Sequence, residues 1–84
     1  MKICLITFRS VTPAQRGESV LAAKGIPCVL QRTPRWMQEQ GCGYSLRLPT
    51  ENIPDAVRIL KGRNIQYRKI YCAAEQGDWK EMEI

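Results

Sequence analysis

Two kinds of hydrophobic periodicity alternate along the chain, one typical of strands and the other of helices. The segment "KICLITF" (Lys2–Phe8) is almost continuously apolar and β-prone, which predicts a central strand. The segment "YSLRL" (Tyr44–Leu48) alternates apolar and polar residues, which predicts a strand buried on one face. Shorter apolar runs predict two more strands, at Pro27–Gln31, where the proline favours a sheet edge, and at about Gln66–Cys72.

Two segments between these strands have helical spacing. Thr12 at the cap, a proline directly after it and Gln15 three residues on from the cap form a capping box, which predicts a helix that ends at Gly25. Asn52 is expected to cap a second helix. Its apolar residues recur at i, i+3, i+4 and i+7, namely Ile53, Ala56, Val57 and Leu60.

An internal similarity supports this order of elements. "LAAKGI" (Leu21–Ile26) and "LKGRNI" (Leu60–Ile65) each end a helix with a residue that tolerates positive φ, followed by an isoleucine that packs back on the helix. Two such units predict an α+β fold, a ferredoxin-like β-α-β-β-α-β sandwich with a four-stranded antiparallel sheet and both helices on one face. A permuted or open α/β sandwich is the alternative. Residues 1–72 form the predicted domain, and residues 73–84 form an acidic tail.

This topology makes a specific prediction about Cys42. The first strand runs antiparallel to the third, so the start of the third strand lies beside the end of the first. Cys42 is therefore expected near Arg9 and Ser10, at the start of the first helix. Unpaired N–H groups and a partial positive charge at a helix start lower the pKa of a nearby thiol. Three further arginines are expected at the same end, namely Arg32, Arg35 and Arg63.

Glycines on both sides of Cys42 fit the same interpretation. Gly41 and Gly43 leave the sulfur sterically open and allow backbone N–H groups to turn toward an anion. Arg35 is the first candidate to stabilise that anion, and Arg9 is the second. The alternative is that the glycines serve only the turn and that Cys42 is a small buried hydrophobe.

The other cysteines are expected in different places in the fold. Cys4 lies inside the central strand and is expected in the core, whereas Cys28 lies in an edge strand. Cys72 ends the fourth strand, which the topology places beside the start of the first, so Cys4 and Cys72 are expected as neighbours and a disulfide between them stays open. The chain has no histidine and no C-x-x-C spacing, so we expect no metal site and no cofactor, and Cys–His catalysis of the usual form is excluded.

Charge is distributed unevenly over the 84 residues. The net charge is +5, but residues 73–84 carry −3 and the remainder carries +8, with eight arginines among the 13 basic residues. Arginine favours the binding of phosphates or carboxylates, or the stabilisation of a thiolate, although a solvated basic surface explains the same count. No apolar run is long enough to span a bilayer, and "MKICLITF" is too short for a signal peptide, so we expect a cytoplasmic protein.

Several motifs, taken in order, resemble a known family. They are Ile6-Thr7-Phe8 with Ser10 and Thr12, then Thr33-Pro34-Arg35, then Cys42-Gly43. Over about residues 2–71 the chain resembles the selenium/sulfur (Se/S) carrier protein-like family of small bacterial and archaeal domains. The resemblance implies a persulfide or selenosulfide on Cys42, with a cysteine desulfurase or selenium-handling enzyme as donor and a further protein as acceptor. The family's cysteine usually follows a small polar residue, whereas Gly41 holds that place here.

Three other functions compete with a carrier. The first is a regulatory or docking module that binds a partner protein or an anion, with Trp36 and Trp79 as anchors, and a homodimer through the edge strand near Cys28 also stays open. The second is a basic RNA-binding domain, against which the first strand lacks solvent-facing aromatics and Tyr44 points inward. The third is a redox-sensing thiol. With no catalytic dyad, a non-enzymatic carrier is favoured over a stand-alone catalyst.

Overall fold

The computed structural model describes residues 2–35, 43–73 and 79–82. Within these residues the chain forms an antiparallel sheet and two α-helices, and a short 3-10 turn at Thr50–Asn52 precedes the second helix. The strands lie side by side in the order β2-β3-β1-β4-β5. In chain order the elements are β1 (Ile3–Phe8), α1 (Val11–Ala23), β2 (Val29–Arg32), β3 (Tyr44–Pro49), α2 (Ile53–Gly62), β4 (Ile70–Ala73) and β5 (Trp79–Met82).

The predicted β-α-β-β-α-β order is present, but the described residues form a sheet of five strands, one more than predicted. Part of the segment that we treated as an acidic tail forms β5, which pairs antiparallel with β4 at the edge of the sheet. A salt bridge of 3.4 Å between Lys69 Nζ and Glu81 Oε1 links β5 to the residue just before β4. Two of the four residues of β5 are charged, so the segment lacks the apolar pattern that identified the other strands.

The core lies between the helices and one face of the sheet. Cys4, Ile6 and Phe8 alternate along β1 and belong to one buried cluster that also contains residues of both helices. The apolar positions predicted for α2 are all buried, and in α1 Ala14, Gly17 and Leu21 are buried. Alternate residues of a strand point to the same face, so both helices cover the same side of β1.

Helix α1 begins earlier than the capping box predicted. It starts at Val11 with Ser10 as its N-cap, and no side chain caps the first turn. Ser10 and Thr12 are both residue types that suit a cap, and the chain enters the helix at the first of them. Pro13 is tolerated in the first turn because the N–H that proline lacks would have no partner within the helix there.

Both helices end as predicted. Gly25 has φ +78° and Asn64 has φ +57°, the left-handed conformation expected just beyond a helix end. In each case the following isoleucine is buried and donates its N–H to a carbonyl five residues back, at 2.9 Å, the bonds running from Ile26 to Leu21 and from Ile65 to Leu60. This is the Schellman arrangement, so the similarity between the two segments reflects the same local structure.

At Gly17, helix α1 packs closely against both the sheet and α2. A Cβ atom there would lie 3.2 Å from Leu46 Cδ1 and Leu60 Cδ2, so Gly17→Val should lower the free energy of unfolding by about 1–3 kcal/mol through overpacking. Gly62→Val is the matched control, because a Cβ there meets nothing within 4 Å. Urea denaturation of both variants tests this, and equal losses of stability would contradict the packing described.

Candidate functional site

The start of β3 and the end of β1 meet at one end of the sheet, which we call the Phe8 end. Phe8 pairs with Tyr44, and the N–H of Thr33 donates to the carbonyl of Gly43 at 3.0 Å. A Cβ on Gly43 would lie 3.3 Å from the Phe8 carbonyl oxygen and 3.4 Å from Thr33 Oγ1, so this position is closely fitted between two neighbours. Gly43 is the residue that follows Cys42 in the sequence.

Some of the predicted site residues lie outside the described part of the chain. These are Gly41 and Cys42, and the predicted anchor Trp36 lies outside it as well. The roles assigned to them therefore stay predictions. The site is described through the residues that surround this segment on either side.

The first helix begins at the Phe8 end. Arg9 and Ser10 directly follow Phe8, and both are exposed. The first-turn N–H groups of α1 have no partners within the helix, and the turn contains no acidic residue to neutralise their partial positive charge. This helix start is a favourable environment for an anion.

Two more arginines reach the Phe8 end from β2 and its continuation. Arg32 pairs with Tyr44 in the sheet, and its guanidinium lies 5.9 Å from the centre of the Tyr44 ring. Arg35 follows Thr33 by two residues and is exposed. The third predicted arginine, Arg63, is the exposed C-cap of α2.

Arg68 also lies at the Phe8 end, and the sequence analysis missed it. Its N–H donates to the Thr7 carbonyl at 2.7 Å, and the Thr7 N–H donates to the Lys69 carbonyl at 2.8 Å. These bonds continue the pairing of β4 with β1 and place Arg68 beside the end of β1. Extending the predicted antiparallel register backwards from Cys72 would have found it.

Two of the four described carboxylates lie at the end of the fold opposite the Phe8 end. Glu51 lies in the 3-10 turn at the opposite end of the sheet, where the Thr50 N–H donates to the Lys2 carbonyl. Asp55, in the first turn of α2, pairs with Arg58 at 2.9 Å. Glu18 lies within α1, and Glu81 pairs with Lys69, the residue that follows Arg68. Glu51 and Asp55 thus lie away from the arginines of the Phe8 end.

Buried hydroxyl groups hold the strands together next to Gly43. Thr33 Oγ1 and Ser45 Oγ lie 2.6 Å apart, and both side chains are buried. Thr7, which pairs with Ser45 across the sheet, is also buried and donates its hydroxyl to the Lys69 carbonyl at 3.1 Å. Because buried polar groups are costly unless they are hydrogen-bonded, these bonds favour the observed pairing. One ties the segment after β2 to β3, and the other ties β1 to the residue just before β4.

Cys28 is half-buried and lies just before β2, at the end of that strand opposite Arg32. Burial raises the pKa of the Cys28 thiol, and the negative charge of Glu18 raises it further. Both effects disfavour the thiolate, which is the reactive form.

Cys4 and Cys72 are neighbours, as the predicted topology required, and they form a disulfide. They face each other across β1 and β4 with Cα atoms 4.0 Å apart. Cys4 and Phe8 are four positions apart on β1, or about 13 Å along an extended strand. The disulfide therefore lies away from the Phe8 end.

Among the described residues, no three side chains of the types that bind metal ions are placed so that they could hold one together. Among the helices formed by these residues, none has the length and apolar character needed to cross a bilayer.

The comparisons with known proteins identify a family. No curated protein and no solved structure matches the chain. A family model described as "Putative Se/S carrier protein-like" matches residues 3–72, from the first residue of β1 to the third residue of β4. The match includes both helices, four of the strands and the Cys42-Gly43 motif, while β5 lies beyond it. The chain therefore belongs to the Se/S carrier protein-like family.

Proposed function

We propose that this protein carries sulfur or selenium as a persulfide or selenosulfide on Cys42. The observation that carries the proposal is the pairing at the Phe8 end, which fixes Gly43 beside the end of β1 and so next to the start of α1. A thiol next to this position would meet arginines and unpaired helix N–H groups. Membership in the Se/S carrier protein-like family supports the same function.

The other cysteines are poor candidates for the carrier thiol. Cys4 and Cys72 are bonded to each other. Cys28 has a raised pKa, because burial and Glu18 both oppose ionisation. A carrier needs an accessible thiolate at neutral pH, which these three cysteines do not offer. We therefore assign the carrier role to Cys42, the fourth cysteine of the chain.

Loading of the carrier is a transfer of one sulfane atom. The Cys42 thiolate attacks the terminal sulfur of a persulfide on the donor, for which a cysteine desulfurase is the proposed enzyme. A new S–S bond forms on Cys42, the donor's S–S bond breaks, and the donor recovers its cysteine thiolate. No net oxidation occurs. With a selenium-handling enzyme as donor, a selenosulfide forms in the same way, and delivery to the acceptor protein reverses the exchange.

The arginines at the Phe8 end suit an anionic cargo. A thiolate and the persulfide that replaces it are both anions, so the same cations can favour the protein before and after loading. Arg35 and Arg9 are exposed, so their side chains can follow the change in length of the group on Cys42. Transfer between two cysteines requires no acid–base dyad, which is consistent with a carrier whose chemistry is completed by its partners.

Sulfur loading can be measured directly by intact-protein mass spectrometry. After incubation with a cysteine desulfurase and cysteine, and without reductant, the wild-type chain should gain the mass of one sulfur atom. Dithiothreitol should remove this mass, and the Cys42→Ser variant should not acquire it. Cys28→Ser is the matched control and should load like the wild type.

The outcome decides between a carrier and a docking module. Absence of the adduct, or an adduct that persists in Cys42→Ser, would contradict a carrier function and favour a module that binds its partner without covalent chemistry. A parallel incubation with selenocysteine and a selenocysteine lyase distinguishes the two cargoes.

The role of Arg35 can be tested with two thiol reagents of different charge. In a Cys28→Ser chain with the Cys4–Cys72 disulfide closed, Cys42 is allowed to react with the anionic 5,5′-dithiobis(2-nitrobenzoate) and with the neutral 4,4′-dithiodipyridine. The ratio of the two rate constants should exceed the same ratio measured for the small neutral thiol 2-mercaptoethanol. Arg35→Gln should lower the ratio of the two rate constants by about two- to fivefold at low salt, the range expected for one exposed charge pair.

Lys24→Gln controls for net charge, because Lys24 is an exposed residue at the far end of α1. It should leave the ratio close to the wild-type value. Equal effects of Arg35→Gln and Lys24→Gln would show that Arg35 has no particular relation to the thiol.

A further inference from the structure

We propose that the Cys4–Cys72 disulfide is a second reactive site, separate from Cys42, which exchanges with dithiol reductants. The attacked sulfur is that of Cys72, and the thiolate of Cys4 is the leaving group. The substrate class is a dithiol, either a small molecule or the vicinal dithiol of a protein. Three features of the structure support this proposal.

The first feature is that the β-sheet holds the two cysteines opposite each other without help from the disulfide. The pairs Leu5–Tyr71 and Ile6–Ile70 continue the same ladder, and the pairing of β1 with β3 extends over all six residues of β1. Opening the disulfide therefore leaves the two sulfur atoms as neighbours. A pair held in this way can open and close again within the folded protein.

The second feature is a difference in access between the two sulfur atoms. Cys4 has no exposed surface, whereas Cys72 is only half-buried. The direct neighbour of Cys72 on β5 is Lys80, which is exposed. Side chains at such opposed positions lie within a few ångströms of each other, so the ammonium group attracts an incoming anionic thiolate toward Cys72.

The third feature stabilises the leaving group. Thr50 Oγ1 lies 3.1 Å from Cys4 Sγ. A disulfide sulfur carries no hydrogen, so the Thr50 hydroxyl is the donor. Burial of Cys4 disfavours its thiolate, and when the disulfide opens the same hydroxyl can donate to that thiolate and offset part of this cost. A more stable leaving thiolate departs faster. The backbone bond from the Thr50 N–H to the Lys2 carbonyl, at 3.0 Å, holds this residue in place.

The exchange balances in two steps. The first thiolate of the dithiol attacks Cys72 Sγ, forming a mixed disulfide while the electron pair of the old S–S bond goes to Cys4 Sγ. The second thiolate of the reductant then attacks the reductant's other sulfur, which is bonded to Cys72 in the mixed disulfide, and releases the Cys72 thiolate. The reductant leaves as a cyclic or intramolecular disulfide. Cys4 and Cys72 together gain two electrons and take up two protons as thiols.

The test uses the 84-residue chain with Cys28→Ser and Cys42→Ser, so that Cys4 and Cys72 are its only cysteines. The chain is incubated with millimolar dithiothreitol under native conditions, quenched with acid, alkylated and weighed by mass spectrometry. We expect opening within minutes, an unchanged far-ultraviolet circular dichroism spectrum, and closure again with oxidised dithiothreitol. A disulfide that opens only in denaturant would overturn the proposal and show a purely structural bond.

The direction of attack is tested in the same chain without further substitution. Glutathione, a monothiol, forms a mixed disulfide that the freed Cys4 thiolate can reverse. Acid quenching protonates that thiolate and traps the mixed disulfide, which peptide mapping should locate on Cys72. Glutathione found mainly on Cys4 would overturn the assignment of the attacked sulfur.

The role of Thr50 is tested by two substitutions of similar size. Thr50→Val removes the hydroxyl and should slow opening by dithiothreitol about fivefold, whereas Thr50→Ser keeps it and should stay within a factor of two of the parent. Equal rates for all three chains would overturn the role given to this hydroxyl. Because Cys42 is absent from every chain used, these results are independent of whether the carrier proposal succeeds.

Discussion

Antiparallel pairing of β1 with a strand on each side is the constraint on which the rest of the structure depends. The backbone of β1 bonds to β3 along its whole length and to β4 over its central part, so the strand has no edge exposed to solvent. Its alternate side chains Cys4, Ile6 and Phe8 supply the centre of the core against both helices. A slip of one residue would turn these side chains to the opposite face, so burial fixes the register as firmly as the hydrogen bonds do.

The same register separates the two kinds of cysteine chemistry that we propose. At one end of β1 the Cys4–Cys72 disulfide lies beside the hydroxyl of Thr50, in a largely buried position. At the other end Phe8 meets the start of β3, next to arginines and the N-terminus of α1. A dithiol pair and a persulfide carrier would interfere with each other if their sulfur atoms could meet. The length of a central strand keeps the pair away from the end at which the carrier site is proposed.

Features set by local sequence were predictable, and features set by contacts distant in sequence were less so. The Schellman endings at Gly25 and Asn64 follow from residue types within one turn. The sequence predicted Thr12 as the N-cap of α1, whereas the structure has Ser10 there, because both residue types suit a cap. The sequence did not predict the strand β5, because half of its residues are charged and its pairing depends on β4. Arg68 reaches the Phe8 end because its backbone continues the pairing of β4 with β1, a contact distant in sequence. The closeness of Cys4 and Cys72 was predictable from the order and direction of the strands alone.

The central claim is that the Phe8 end makes Cys42 the reactive thiol of this protein. The most direct measurement is the pH dependence of alkylation of Cys42 and Cys28 in the same wild-type sample, resolved by peptide mapping. Because burial and Glu18 raise the pKa of Cys28, its alkylation should reach half of the maximal rate at a pH above the ordinary thiol value of about 8.5. Cys42 should reach half of its maximal rate at a clearly lower pH than Cys28. A midpoint for Cys42 equal to or higher than that of Cys28 would contradict the account.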